Sequence, residues 1–122
     1  MSKITRARQV LAVTNLERSA SYFQNVMGFD LRAQFPGWTF LSRGACFLML
    51  GECPDETPAS SIGDHAYVAY LDVEDANSLY EEFTANGAQF CKQVRDEPWG
   101  MREFGVVTID GHKFMFGQNL DA

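Results

Sequence analysis

The hydrophobic positions of the first fifty residues change their period several times. Val10–Val13 is a short apolar run of strand type. Thr14-Asn15-Leu16-Glu17 follows as a T-x-x-E capping box, which predicts a helix opening with Thr14 as its cap. Beyond it Leu16, Ala20, Phe23 and Met27 recur at the spacing of one helix face. Gly28 then stands where a left-handed residue would close the helix. Three strands are predicted next, over Phe29–Ala33, Trp38–Ser42 and Cys46–Leu50, with turns at Pro36-Gly37 and Arg43-Gly44.

The pattern then restarts. Residues 51–64 hold two of the four prolines among small and acidic residues and read as a linker between a first unit, 1–50, and a second, 65–122. Ala66–Val73 reads as a strand and Asp75 as a helix cap. Ala76, Leu79, Tyr80 and Phe83 form the buried stripe of the helix, which ends at Asn86-Gly87. Gln89–Gln93, Arg102–Ile109 and Lys113–Phe116 are the last strands. Val73 stands 60 positions after Val13 and Phe83 60 after Phe23, while Asp110-Gly111 stands 67 after Arg43-Gly44. The chain is therefore read as α+β, one domain of two tandem β-α-β-β-β units. Units of about 50 residues are too small to bury both sheet faces alone. Paired, they would make a curved mixed sheet with helices outside and a concave ligand-binding face.

Charge narrows the partners. Ten Lys and Arg stand against sixteen Asp and Glu, a formal net charge of −6. No Lys/Arg cluster offers the counter-ion release that nucleic acid requires, so neither nucleic acid nor an anionic membrane is an expected partner. A cationic or neutral small molecule suits the overall field better, and Asp55, Glu56, Asp96 and Glu97 would favour a cation locally. No apolar run is long enough for a transmembrane helix, and the first residues lack the apolar core of a cleaved signal peptide. Cys46, Cys53 and Cys91 are an odd set without a CxxC pair, as expected of reduced thiols in a cytoplasmic protein.

Covalent chemistry finds little support. G-x-S-x-G, the phosphate-binding G-x-x-x-x-G-K-[ST] and G-x-G-x-x-G after a strand are all missing from the sequence. Thiolate activation needs an electropositive neighbourhood, which this acidic chain does not advertise.

The repeated unit, with VTNLERSASYFQNVMGF at 13–29, GWTFLSRG at 37–44, VEDANSLYEEFTANG at 73–87 and EPWGMREFGVVTIDGHKFMFGQ at 97–118, resembles the vicinal oxygen chelate superfamily. That superfamily includes glyoxalase I, extradiol dioxygenases and bleomycin resistance proteins. The second and fourth segments look most like the bleomycin-resistance branch, in which an aromatic after the first turn and a P-W-G loop line a drug-binding crevice. The resemblance also implies a homodimer. Metal-dependent members place His, Gln or Glu at four strand positions, which fall here on Arg8, Met49, Val68 and Met115. An Arg, two thioethers and a Val make no hard-metal site, so neither metal nor cofactor is expected. Three residues could rescue one. Gln9 would have to reverse its strand face, His65 ends the polar linker, and His112 sits in the Asp110-Gly111-His112 turn that it is better placed to hold.

The expected function is non-catalytic sequestration of a planar, amphipathic small molecule, cationic or neutral, of the bleomycin-type antibiotic class. The alternative is a metal-dependent lyase or dioxygenase with atypical ligands. The expected ligand contacts are Trp38, Phe40, Met49, Trp99, Arg102, Phe104 and Met115, with no catalytic residue. Trp38 and Phe40 share a strand face by the period of two, and Trp99 sits in the constrained loop Glu97-Pro98-Trp99-Gly100. Core packing is the competing reading for Phe40, Phe47, Phe104, Phe114 and Phe116, and it is expected to hold for most of them. Met49 and Met115 would give a shape-tolerant pocket their soft thioethers.

Overall fold

Local chemistry sets the element ends. In a computed structural model, which describes residues 3, 5–55, 61 and 67–121, the order is β1 (Gln9–Val13), α1 (Leu16–Asn25), β2 (Asp30–Phe35), β3 (Trp38–Arg43), β4 (Cys46–Glu52), β5 (Tyr67–Asp72), α2 (Ala76–Ala85), β6 (Gln89–Asp96), β7 (Met101–Val107) and β8 (Lys113–Asn119). Asn15, not Thr14, caps α1: its side-chain oxygen accepts from the Arg18 N–H at 3.0 Å. Asn is at least as good a cap as Thr. The shift by one residue leaves Glu17 in the first turn, where its charge favours the helix N-terminus. Gly28, at φ +71°, closes the helix as expected, and the Phe29 N–H returns to the Phe23 carbonyl at 2.9 Å. Asp75 caps α2 by accepting from the Ser78 N–H at 3.0 Å.

The chain divides into two compact units, Met1–Glu56 and Thr57–Ala122, each with one helix and one four-stranded mixed sheet. In the first, the strand order is β1-β4-β3-β2, with β1 parallel to β4 and the other neighbours antiparallel. In the second, β5-β8-β7-β6 repeats this arrangement, with β5 parallel to β8. The fold class is thus α+β, built from two β-α-β-β-β units as the sequence predicts. The expected linker starts too early, because β4 runs on through Gly51 and Glu52. Residues 56–60 and 62–66, from most of that linker to the start of the second unit and with His65 among them, lie outside the described residues.

Each sheet packs one face on its helix. Leu11, Val13, Leu41, Leu48 and Leu50 of the strands and Ala20 and Phe23 of α1, with Met27 just beyond it, are buried apolar side chains of the first unit's core. In the second, Phe104, Phe114 and Phe116 join Phe83 of α2, with Phe104 and Phe116 stacked at 4.9 Å and Phe83 edge-on to both. Strand side chains alternate between faces, so the residues between these core positions occupy the opposite face of each sheet.

Candidate functional site

In the first unit the face away from α1 carries an aromatic row. Across β3 and β4, Trp38 lies opposite Gly51, Phe40 opposite Met49 and Ser42 opposite Phe47. A Cβ added to Gly51 would meet the Trp38 ring at 3.0 Å, so the indole lies against that backbone because Gly51 has no side chain. Trp38 remains 38% exposed. Phe40 is half-buried and meets Phe35 edge-on at 5.5 Å between ring centroids. Beyond this row stand two cations. The Arg6 guanidinium lies 4.2 Å from the Phe47 ring centroid, and that of Arg8 5.6 Å from Phe47 and 5.8 Å from Phe40.

The corresponding face of the second unit is organised by a buried carboxylate. Glu103 on β7, 6% exposed, accepts from the Tyr70 hydroxyl at 2.7 Å and the Trp99 indole N–H at 3.1 Å through Oε2, and from Lys92 Nζ at 2.8 Å through Oε1. Lys92 also lies 3.6 Å from Glu97 and 5.7 Å from the Trp99 ring centroid. Arg95 pairs with Glu97 from the other side. Trp99 is therefore an exposed ring, at 62%, held along one edge. Its loop turns at Gly100, φ +83°, whose N–H returns to the Glu97 carbonyl at 3.0 Å. Two strand glycines make room for the cluster. A Cβ on Gly117 would fall 1.8 Å from the Tyr70 hydroxyl oxygen, and one on Gly105 2.7 Å from both the Met115 and the Cys91 sulfur.

These contacts set the ionisation of the cluster. Burial pushes the Glu103 carboxyl up, but the bonds from Lys92, Tyr70 and Trp99 and the charge of Lys92 outweigh it. The net value falls below the ordinary carboxylate range. Tyr70 moves the other way: burial, its bond to Glu103 and the negative charges of Glu103 and Asp72 hold its phenol protonated.

The expected site residues separate into three groups. Trp38, Phe40 and Met49 share the open face of the first sheet, and Trp99 and Met115 stand with Glu103 on that of the second. Phe104 does not belong with them. It is 0% exposed and packs among Phe83, Tyr80, Phe90 and Phe116 beneath α2, because its position on β7 has the opposite parity to Glu103. Arg102 shares that parity and is bound to Asp96 through two hydrogen bonds, at 2.6 and 3.2 Å, on the neighbouring strand. Its strand partner Gln118 in turn accepts from the Ala76 N–H at the start of α2. Sequence reasoning missed Glu103, Tyr70 and Lys92. The available signals were glycines inside the strands and a single acid in the middle of β7.

The four positions that the resemblance aligns with metal ligands do not fit a divalent ion. Arg8 presents a guanidinium over two phenyl rings, Met49 lies opposite Phe40, Val68 is aliphatic, and the Met115 sulfur lies over Gly105. None is a hard N/O donor. Gln9 pairs with Leu48 and shares the parity of Leu11 and Val13, hence the helix side of the sheet. His112 is buried in the β7–β8 hairpin, its backbone N–H donating to Thr108 Oγ1 at 3.1 Å. Among the described residues no group of three or more His, Cys, Asp or Glu is arranged to hold a metal ion. Cys46, Cys53 and Cys91 are free thiols, and burial pushes that of Cys46 up, away from thiolate chemistry. No helix among the described residues is long and apolar enough to cross a membrane.

Comparison with known proteins agrees with this architecture. Several solved structures superpose on nearly the whole chain. The bleomycin resistance determinant encoded on the transposon Tn5 is 20% identical with a TM-score of 0.79, covering 95% of this chain and 98% of its own. The bleomycin-binding protein of Streptomyces verticillus, solved with copper(II)-bleomycin, is 22% identical with a TM-score of 0.75, covering 95% and 97%. TioX from Micromonospora sp. ML1 is 25% identical with a TM-score of 0.74, covering 93% and 95%. No curated protein matches the chain in sequence. The family model described as Glyoxalase/Bleomycin resistance protein/Dioxygenase superfamily matches residues 4–116. With this match over both units, the chain belongs to the glyoxalase/bleomycin resistance protein/dioxygenase superfamily.

Proposed function

We propose that this protein captures a planar, amphipathic small molecule and releases it unchanged, as a binding protein of the bleomycin-resistance type. The observation that carries this reading is the pair of fixed, exposed indoles. Trp38 lies against Gly51, and Trp99 is tethered by Glu103. A preorganised aromatic ring loses little freedom on binding a flat ligand, and each stacked pair contributes about 0.5–1.5 kcal/mol beyond burial. Phe40 and Met49 give the face that holds Trp38 apolar, adaptable surface, and Met115 does the same for the second unit's face with Trp99. Similarity to bleomycin-binding structures supports the ligand class at the level of the fold.

A metal-dependent lyase or dioxygenase has no comparable support, because the ligand positions carry Arg8, Met49, Val68 and Met115. In the same reading the protein acts as a cytoplasmic homodimer. Three free thiols favour a reducing compartment, and a second copy would cover exposed apolar side chains such as Val10 and Phe35.

Titration with bleomycin tests the reading, followed by tryptophan emission and calorimetry, with mass spectrometry of the recovered ligand. Saturable binding, changed emission and unaltered bleomycin are expected. Conversion of the ligand, or calorimetric silence up to millimolar concentration, would remove bleomycin capture as the function.

A further inference from the structure

Arg6 and Arg8 differ from the salt-bridged cations of the second unit. Lys92, Arg95 and Arg102 of the second unit each meet a carboxylate. Among the described residues no carboxylate pairs with Arg6 or Arg8; Arg6 lies over the Phe47 ring and Arg8 over those of Phe47 and Phe40. This is unexpected in a chain of net charge −6, where acidic partners are plentiful. A guanidinium stacked on a ring uses its face and keeps its in-plane N–H donors available, in the fork that matches a carboxylate or phosphate. Both guanidiniums are exposed, at one end of the row that runs from Trp38 past Phe40 to Phe47.

From this arrangement we infer that the open face of the first sheet takes an aromatic acid: the anionic group is held by Arg6 and Arg8, and the flat apolar part lies along Phe40 and Trp38. The inference rests on the proposed capture function and names its ligand class, with a local charge preference opposite to that suggested by the net charge. Spacing adds a length requirement. Gly51, beneath Trp38, and Phe47, beneath the guanidiniums, are separated by four residue steps along β4, about 13 Å at roughly 3.3 Å per residue. A single benzoate is too short to engage both ends, whereas a two-ring acid reaches.

The test compares biphenyl-4-carboxylate, biphenyl-4-carboxamide and 4-phenylbenzylamine on the intact chain at low salt, by calorimetry and tryptophan emission. The acid is expected to bind about tenfold or more tightly than either other probe, and added salt to erode that margin. The double variant Arg6→Gln/Arg8→Gln is expected to lower acid affinity about tenfold while leaving the carboxamide unchanged. Both arginines are exposed and precede β1, so circular dichroism of the variant should match the parent. Equal binding of acid, amide and amine would overturn the anionic seat while leaving aromatic capture standing. Acid preference that survives the double substitution would also overturn it. So would a failure of all three probes to bind, and capture would then depend on the bleomycin titration alone.

Discussion

The Tyr70 hydroxyl donates to the Glu103 carboxylate at 2.7 Å by crossing Gly117, whose missing side chain makes the space for it. Tyr70 is on β5 and Glu103 on β7, with β8 between them, so the contact spans three strands of the second sheet. A Cβ at position 117 would stand 1.8 Å from the tyrosine oxygen, and the ring would have to swing away. Gly117→Ala should therefore cost about 1–3 kcal/mol of unfolding free energy, as overpacking does. In a Tyr70→Ala background the same change should cost far less. Urea unfolding of the four proteins in this cycle should give a coupling of at least about 0.5 kcal/mol. Strict additivity would mean that Gly117 does not hold the tyrosine slot open.

Acid should release Trp99. The folded-state pKa of Glu103 lies below its unfolded value because the bonds from Lys92, Tyr70 and Trp99 outweigh the effect of burial. A carboxyl depressed in this way stabilises the fold above its unfolded pKa, about 4.3 for Glu, and the contribution is lost as pH falls through the folded value. The NMR signal of the Trp99 indole N–H should thus stay fixed from neutral pH down to about 4.3 and move only below it. Glu103→Gln should abolish that titration and cost about 1–3 kcal/mol through imperfectly satisfied donors. A midpoint above the ordinary Glu range would contradict the assigned hydrogen bonds.

Much of the fold could be read because it depends on local signals. Gly28 and Asp75 act through their own backbone or side chain within a few residues, and both behave as expected. Thr14 failed as a cap because two neighbouring residues could both serve, and Asn15 is the one that reaches the Arg18 N–H. Trp38 and Trp99 were visible as ring residues beside turns. Glu103 was not. Its significance arises from Tyr70, 33 positions earlier, and Lys92, 11 positions earlier, brought together by strand pairing that a linear pattern does not encode. The placement of Phe104 and Arg102 was hidden for a related reason. A loop aromatic announces a surface, but parity along β7 decides which face each following residue takes, and it sends both to the helix side.

That difference between Trp38 and Phe104 separates binding from stability. Gly51→Ala places a methyl 3.0 Å from the Trp38 ring and lifts the indole by a few tenths of an ångström or more. Its expected effects are shifted tryptophan emission and bleomycin affinity about tenfold weaker, with less than about 1 kcal/mol lost in stability. Phe104→Ala should do the reverse. It opens a cavity in a fully buried aromatic cluster and should cost about 3–5 kcal/mol, with affinity unchanged in protein that remains folded. Weakened binding in the Phe104 variant at full folding would return that residue to the site.

Tyr22 offers a prediction about the first unit that is independent of any ligand. It lies on α1 edge-on to Phe23, at 5.7 Å between ring centroids, and its hydroxyl oxygen is buried with no hydrogen-bond partner among the described residues. Burial pushes its phenol up to about 12. A phenol raised above its unfolded value, about 10, supports the fold below that pH, and the support is lost as pH climbs through the folded value. Tyr22→Phe removes the unsatisfied oxygen and keeps the ring, so it should raise stability by about 1 kcal/mol at neutral pH. Between pH 10 and about 12 the parent should lose stability faster than the variant, because only the parent must bury a group that has begun to ionise when unfolded. Urea unfolding at pH 7 and at pH 11 distinguishes the outcomes. A variant less stable at neutral pH would show that the hydroxyl makes a favourable bond, and the alkaline difference would then have to come from that bond rather than from burial.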